Sequence, residues 1–454
     1  MSAPVTAAVS DFVAGRFDVA PHDIESACTH VLDTLASIVA CRDLEPARVA
    51  RAYATATSGD SGSVTILGTE QRASLVDAVF AGAMTGHAAE INDFMPSVFV
   101  QPGPAVVSTA LGLAEQRDLA GDAVVRAVVI GYELSARVPR ALGAANLRAA
   151  GLASHGIGPV FGSAAAAASL LGLDRERIGD VLSCCAQQAS GSWQWLHDVE
   201  HIEKAFVFAG MGARNGLQAA LLVEAGFRGV RGPFDDPAGW FRSGAFRGGD
   251  RDTDALVDGL DAPTALRDTA IKRHPVGGPA QPAVEALLCL LGEIDADEVD
   301  RVTIAMPGRA DAFRDAAMPA LNLRYLAAVI LVDGDLDVAS ASSLERLHHD
   351  PAVAARMATV DVVHDPGQET GTGRDRAESA RVVVTLRSGA VHERFVGFVA
   401  GYPTHPMSRA EVEAKAHGLL AAHLGAGRAD QVVATCARLA ELDHATELVA
   451  MIAR

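Results

Sequence analysis

To about residue 260, apolar side chains recur at spacings of three and four, and many of them are alanine. Ile24, Ala27, Cys28, Val31 and Leu32 set the period, with Asp23 near the helix start. The same spacing predicts helices over 75–89, 105–113, 120–142, 161–171, 175–190 and 205–225. Small side chains let helix backbones approach one another closely, so the alanine-rich stretch 162–169 predicts a buried helix crossing others at short range. A long bundle of closely packed helices is the fold that such a pattern admits.

The texture changes near residue 262. Short β-rich runs occupy 299–306 and 360–364. A third run, 381–386, is followed by Ser388-Gly389 and then 391–399, which reads as a hairpin. Helical stretches, 279–291 and 321–332, lie between these runs. After Gly401-Tyr402-Pro403 the helical pattern returns, with Pro406 and Ser408 opening a helix that carries Glu411, Glu413 and Lys415. The predicted fold is therefore mainly α, a large all-helical domain (1–262) plus a smaller α+β lid domain (263–400). Residues 401–454 supply C-terminal helices that return to the helical domain. A cleft between the two domains is the default binding site.

Composition narrows the function. A net charge of -18 lacks the basic field that nucleic acid requires, whereas a small anion needs only a local cationic pocket. Six cysteines show no CxxC spacing, and Cys184-Cys185 lies in an apolar run, so buried free thiols are expected rather than zinc or disulfides. No basic stretch followed by an apolar one opens the chain, and no run of about 18 uninterrupted apolar residues appears. The expected setting is cytoplasmic, with neither membrane nor nucleic acid as partner.

Only three of the 38 basic side chains are lysine: Lys204, Lys272 and Lys415. Where arginine supplies nearly every positive charge, a remaining lysine suits work that guanidinium does badly, because an ammonium can lose its proton when desolvated.

Four segments carry chemistry. In the first, a helix ends in His87, Glu90, Asn92 and Asp93, with Glu90 three residues past His87 on one helical face. Acid–base work and simple helix capping both fit those residues. The second, Gly151 to Gly162 with His155 at its centre, reads as a glycine-rich loop running into a helix, a natural anion site. No strand precedes it and its spacing is wrong for a dinucleotide fold. The third runs from Trp193 through His197 and His201 to Lys204. Its two histidines share a helical spacing, but without an HExxH order or a third ligand no metal site is assigned. The fourth, Lys272-Arg273-His274-Pro275, is the best local cationic site; a carboxylate pocket and a solvated basic turn both fit it.

In order along nearly the whole chain, these segments resemble the MmgE/PrpD family, whose members include 2-methylcitrate dehydratase, cis-aconitate decarboxylase and iminodisuccinate epimerase. Gly86–Phe94 is similar to the family's His-x-x-Asp-Phe-Asp-Asp-Thr, and Gly131-Tyr132-Glu133 with Arg137 to its Gly-Tyr-Glu helix. The stretch 162–173 resembles its alanine-rich helix, and Lys204 to Gly216 its lysine-bearing helix. Ile271-Lys272 with Pro275 resembles Ile-Lys-x-x-Pro, and Gly401, Pro403 and Pro406 with Lys415 the closing motif.

The resemblance implies a helical domain with an α+β lid, usually a homodimer, and chemistry without metal or organic cofactor. A proton is removed next to a carboxylate, and water or CO2 then leaves, or the proton returns on the other face. Carried over, Lys204 and Lys272 hold substrate carboxylates, Glu90 and Asp93 answer to the acidic segment, and Tyr325 resembles a lid tyrosine facing the cleft. The departures matter as much. Glu90, Asn92 and Phe94 stand where the family has aspartate, aspartate and threonine. Gln101-Pro102-Gly103 replaces His-Pro-Ser, and Gln281 replaces a third histidine. His155 falls two residues later than the family's histidine. Glutamine cannot shuttle a proton at neutral pH.

The expected function is a cofactor-independent lyase, of dehydratase or decarboxylase type, for a small anionic carboxylate. Catalysis is expected from Lys204, Lys272, His155, Glu90, Asp93 and Tyr325, with His87, Gln101, Arg273, His274 and Gln281 binding substrate. The alternatives are an isomerase or epimerase of an iminodisuccinate-like dicarboxylate, and a catalytically altered homologue that binds a metabolite.

Overall fold

The computed structural model describes residues 4–15, 19–59, 62–230, 232–236, 239–308, 310–369 and 378–453. Six helices frame the larger unit: α1 (Pro21–Cys41), α2 (Leu75–Gly86), α3 (Pro102–Arg117), α4 (Gly121–Leu142), α5 (Ser154–Leu170) and α6 (Ile202–Glu224). Ser74 caps α2 by accepting from the Asp77 amide, and Pro102 opens α3, where a missing N–H costs nothing. Buried α5 packs against α3, α4 and α6. At its crossing with α4, a Cβ on Gly162 would sit 2.6 Å from the Gly131 carbonyl oxygen. The two backbones touch there, as the run of small residues predicted.

The start of α5 differs from its expected place. The helix begins at Ser154, so His155 lies in its first turn rather than in a loop. The glycines of this stretch serve close approach instead of flexibility: a Cβ on Gly158 would be 2.6 Å from the Ser135 carbonyl oxygen.

The lid carries a four-stranded sheet built from β1 (Val299–Met306), β2 (Val360–His364), β3 (Ala380–Leu386) and β4 (Val391–Val396), in the order β2-β1-β3-β4. β1 pairs in parallel with β2 and antiparallel with β3, placing Val302 opposite both Val360 and Val384. The expected hairpin turns at Gly389, whose φ is 86°, but β4 stops at Val396. Alternate residues of β1 and β3 point into a core shared with α7 (Gln281–Leu291) and α8 (Leu323–Asp333).

The C-terminal α9 (Arg409–Leu424) and α10 (Ala426–Ala437) pack on α1. Ser408 and Glu411 close a capping box at the start of α9. From α9, Lys415 donates to Asp33 of α1 (2.6 Å) and to the Ile91 carbonyl (3.0 Å). The two chain crossings between the units run side by side, the Ile271 amide donating to the Gly401 carbonyl at 2.9 Å. Among the described residues, α1 and α6 are long and apolar enough to cross a membrane, although no uninterrupted apolar run marked them; most of each is buried inside the fold.

Candidate active site

A cavity of about 820 Å³ opens between the helical unit and the lid. Its walls come from the turns after α2, the start of α5 and the approach to α6 on one side, and from 277–279 and 306–321 on the other.

Glu90 lies at the inner end and is 3% exposed. Both its oxygens are taken. Lys204 and His201 donate to Oε1, the latter at 3.1 Å, and Lys272 donates to Oε2 at 2.9 Å. Burial alone would raise the Glu90 carboxyl, but Lys204 and then Lys272 overcome it and hold the group well below the usual carboxylate range. Burial also lowers Lys204, against the pull of Glu90. Aromatic rings enclose both ammonium groups. Lys204 Nζ is 5.4 Å from the Trp195 ring centroid and 5.3 Å from that of Phe208, and Lys272 Nζ is 5.5 Å from that of Phe94. With both lysines protonated, this cluster carries one net positive charge in a desolvated place, which suits a carboxylate.

α6 delivers Lys204 by an irregular route. His201, at φ 64°, precedes the helix in a backbone conformation that few side chains other than glycine adopt. Immediately after Lys204 the helix widens into a π turn, Phe206–Gly210, a feature frequent at functional sites. That turn carries Phe208, which stacks on His155 (centroids 4.1 Å apart) and His87 (4.9 Å).

His155 lines the cavity. Burial and the nearby Lys204 ammonium push it down to about 3, so it is neutral at pH 7 and its Nδ1 has no hydrogen-bond partner among the described residues. Gln101 Oε1 and Trp195 Nε1 are likewise buried, cavity-lining and unpartnered among the described residues.

His87 and Glu90 do not share a helix face, as their spacing suggested. α2 ends at Gly86, and a turn, not a helix, brings Glu90 to the lysines. His87 sits behind Phe208, donating from Nδ1 to Asn92 Oδ1 at 2.7 Å. Nor do His197 and His201 form a pair: Trp193–His197 is a 3-10 turn, and α6 begins only at Ile202. His87, Glu90 and His201 do place ligand atoms within 4.8 Å of one another. A metal there would lie beside two ammonium groups that already occupy both oxygens of Glu90, so the donor set does not fit a cation.

The profile of the MmgE/PrpD N-terminal domain matches residues 9–250, and that of the MmgE/PrpD C-terminal domain matches residues 274–439. The chain belongs to the MmgE/PrpD family. It is 27% identical over 358 residues to the cis-aconitate decarboxylase-like protein oryM of Aspergillus oryzae, spanning 72% of this chain and 70% of that protein. It is also 27% identical over 253 residues to a cis-aconitate decarboxylase of Aspergillus terreus, spanning 53% of this chain and only half of the relative.

Several residues matched to MmgE/PrpD motifs lie away from the cavity. Asp93 is enclosed, accepting from Tyr132 Oη (2.6 Å), His30 Nδ1 (3.0 Å) and the Gly103 amide (3.1 Å), which ties α1, α3 and α4 together. Tyr325 does not face the cleft; it is in the lid core and donates to the Ser340 carbonyl. Gln281 binds backbone, accepting from the His274 amide and donating to the carbonyls of His274 and Val276. His274 and Arg273 both turn to Glu285, outside the cavity. The MmgE/PrpD helix residues Glu133 and Arg137 pair with each other and hold backbone at 255–265, just before Lys272.

Trp193, Trp195 and His201, which the third segment contains without a role in the expected chemistry, stand at the site, and so does Phe208, which was not expected there. One signal was present: two of the chain's three tryptophans lie two residues apart, in a sequence with only 5% aromatics.

Proposed function

We propose that this MmgE/PrpD protein is a cofactor-independent lyase, of dehydratase or decarboxylase type, acting on a carboxylate by removing a proton next to a carboxylate or carbonyl. The observation that carries this reading is the shared clasp of Lys204 and Lys272 on buried Glu90 at the inner end of the interdomain cavity. The names of the two Aspergillus relatives support the same reaction class.

In this reading a substrate carboxylate docks beside Glu90 on the cavity-lining Lys204 ammonium, and buried Lys272 adds its charge from the other oxygen of Glu90. Negative charge that develops on the substrate's carboxylate or carbonyl oxygen is met by the same groups, already oriented and shielded from water. His155, neutral and exposed to the cavity, accepts the proton, and an anion bound nearby raises its basicity. In a dehydration His155 returns that proton to the departing hydroxide, which leaves as water; in a decarboxylation it returns the proton to carbon as CO2 leaves.

One observation favours a second reading. Gln101 and Gln281 cannot carry a proton to a leaving hydroxide, and Gln281 is fully engaged with backbone. An epimerase returns its proton to carbon and needs no such acid. Incubation with candidate carboxylates in heavy water separates the two. Net loss of water or CO2 is expected; inversion with deuterium uptake and no net loss would support the epimerase. If no acid exchanges or turns over while one raises the melting temperature, the protein binds a metabolite without catalysis.

A further inference from the structure

We propose that the substrate carries an apolar chain or ring attached to its carboxylate end, and that the outer part of the interdomain cavity binds this extension. The proposal rests on the carboxylate reading of the inner cluster and specifies the rest of the molecule.

Size comes first. The cavity's volume of about 820 Å³ falls in the upper part of the roughly 300–1,000 Å³ that encloses drug-sized ligands. A compact acid held at Lys204 would leave most of it empty. Much of the remaining wall is apolar: Phe99, Trp193 and Leu196 on the helical side face a cavity shared with Phe313 and Leu321 of the lid. Leu196 is 60% exposed and Phe99 is 42% exposed, an apolar surface at the cavity that a bound chain would cover. Phe99 also has a φ of 54°, a strained conformation for an aromatic residue, and its amide is tied to the Met95 carbonyl at 2.9 Å.

A series of saturated alkylsuccinates, methyl to octyl, tests this by calorimetry on the intact protein. Each methylene that enters the groove is expected to tighten binding by about fourfold until the cavity is filled. Trp193→Ala is expected to lower the octyl-to-methyl affinity ratio at least fivefold. A flat or falling series, or no binding by any member, overturns the proposal. Solvent exchange with unsaturated or hydroxylated acids reads the chemistry separately. Tighter binding of long chains with no exchange by any acid would sink the lyase reading and keep the substrate class. Exchange confined to compact acids would do the reverse.

Discussion

Lys204 and Lys272 approach Glu90 from different parts of the chain, and each buried ammonium has that carboxylate as its only charged hydrogen-bond partner among the described residues. Arginine cannot copy this arrangement, since its wide planar fork would have to fit where Lys272 meets Glu90 and Phe94. Lys272→Arg is expected to cut kcat/KM by about 10²–10³-fold despite the retained charge. Unchanged steady-state turnover would remove any specific role for this lysine. His155 makes a prediction about stability. In the unfolded chain it titrates near 6.5, in the folded protein at about 3. Between those values the unfolded chain binds a proton that the folded one does not, so stability falls as pH drops through this window. Melting temperatures of wild type should therefore decline more steeply from pH 6.5 to 4.5 than those of His155→Asn. Equal slopes would show that the imidazole is not held neutral.

At the scale of elements, catalytic position depends on how the turns between helices are tied down. The turn 272–276 has little regular structure, and Gln281, at the start of α7, supplies three hydrogen bonds to it. Gln281→Leu leaves the half-buried amide and carbonyl of His274 and the buried carbonyl of Val276 without this partner, with an expected cost of about 1–3 kcal/mol. Because Lys272 begins that turn, activity at a temperature where the variant remains folded should fall as well. Denaturant melts and kinetics on the same preparation check both. The crossing of α4 and α5 makes a separate claim. Gly162→Ala places a methyl against the Gly131 carbonyl, and overpacking should cost about 1–3 kcal/mol in a chemical melt. A variant as stable as wild type would mean the two backbones are not in contact.

Across the whole molecule, the two crossings between the units meet at one point. Gly401 has a φ of 113°, and a Cβ there would lie 2.0 Å from the Ile271 carbonyl oxygen. Gly401→Ala is therefore strained in its backbone and also pushes on the residue next to Lys272. Activity is expected to fall far more than far-ultraviolet helical signal, because the helical unit does not depend on this contact. Equal loss of both would mean that the crossing supports the entire fold. Lys415 acts at the same scale from the other side, fastening α9 to α1 and to the backbone beside Glu90.

Periodicity made the helices, the short strands and the hairpin legible, because each reports local geometry that three to four or two residues already encode. The MmgE/PrpD motifs likewise carried Lys204, Lys272 and Glu90, whose chemistry is written in residue type. Their convergence was not legible. Glu90 lies 114 residues from Lys204 and 182 from Lys272, and only the packed helices and the lid crossing bring the three together. Orientation was decided in the same way: Asp93, Tyr325, Gln281 and His274 have the right chemistry, yet their neighbours turn them into anchors. Burial sets what remains, since the neutral state of His155 and the ionised state of Glu90 follow from desolvation and from charges distant in sequence.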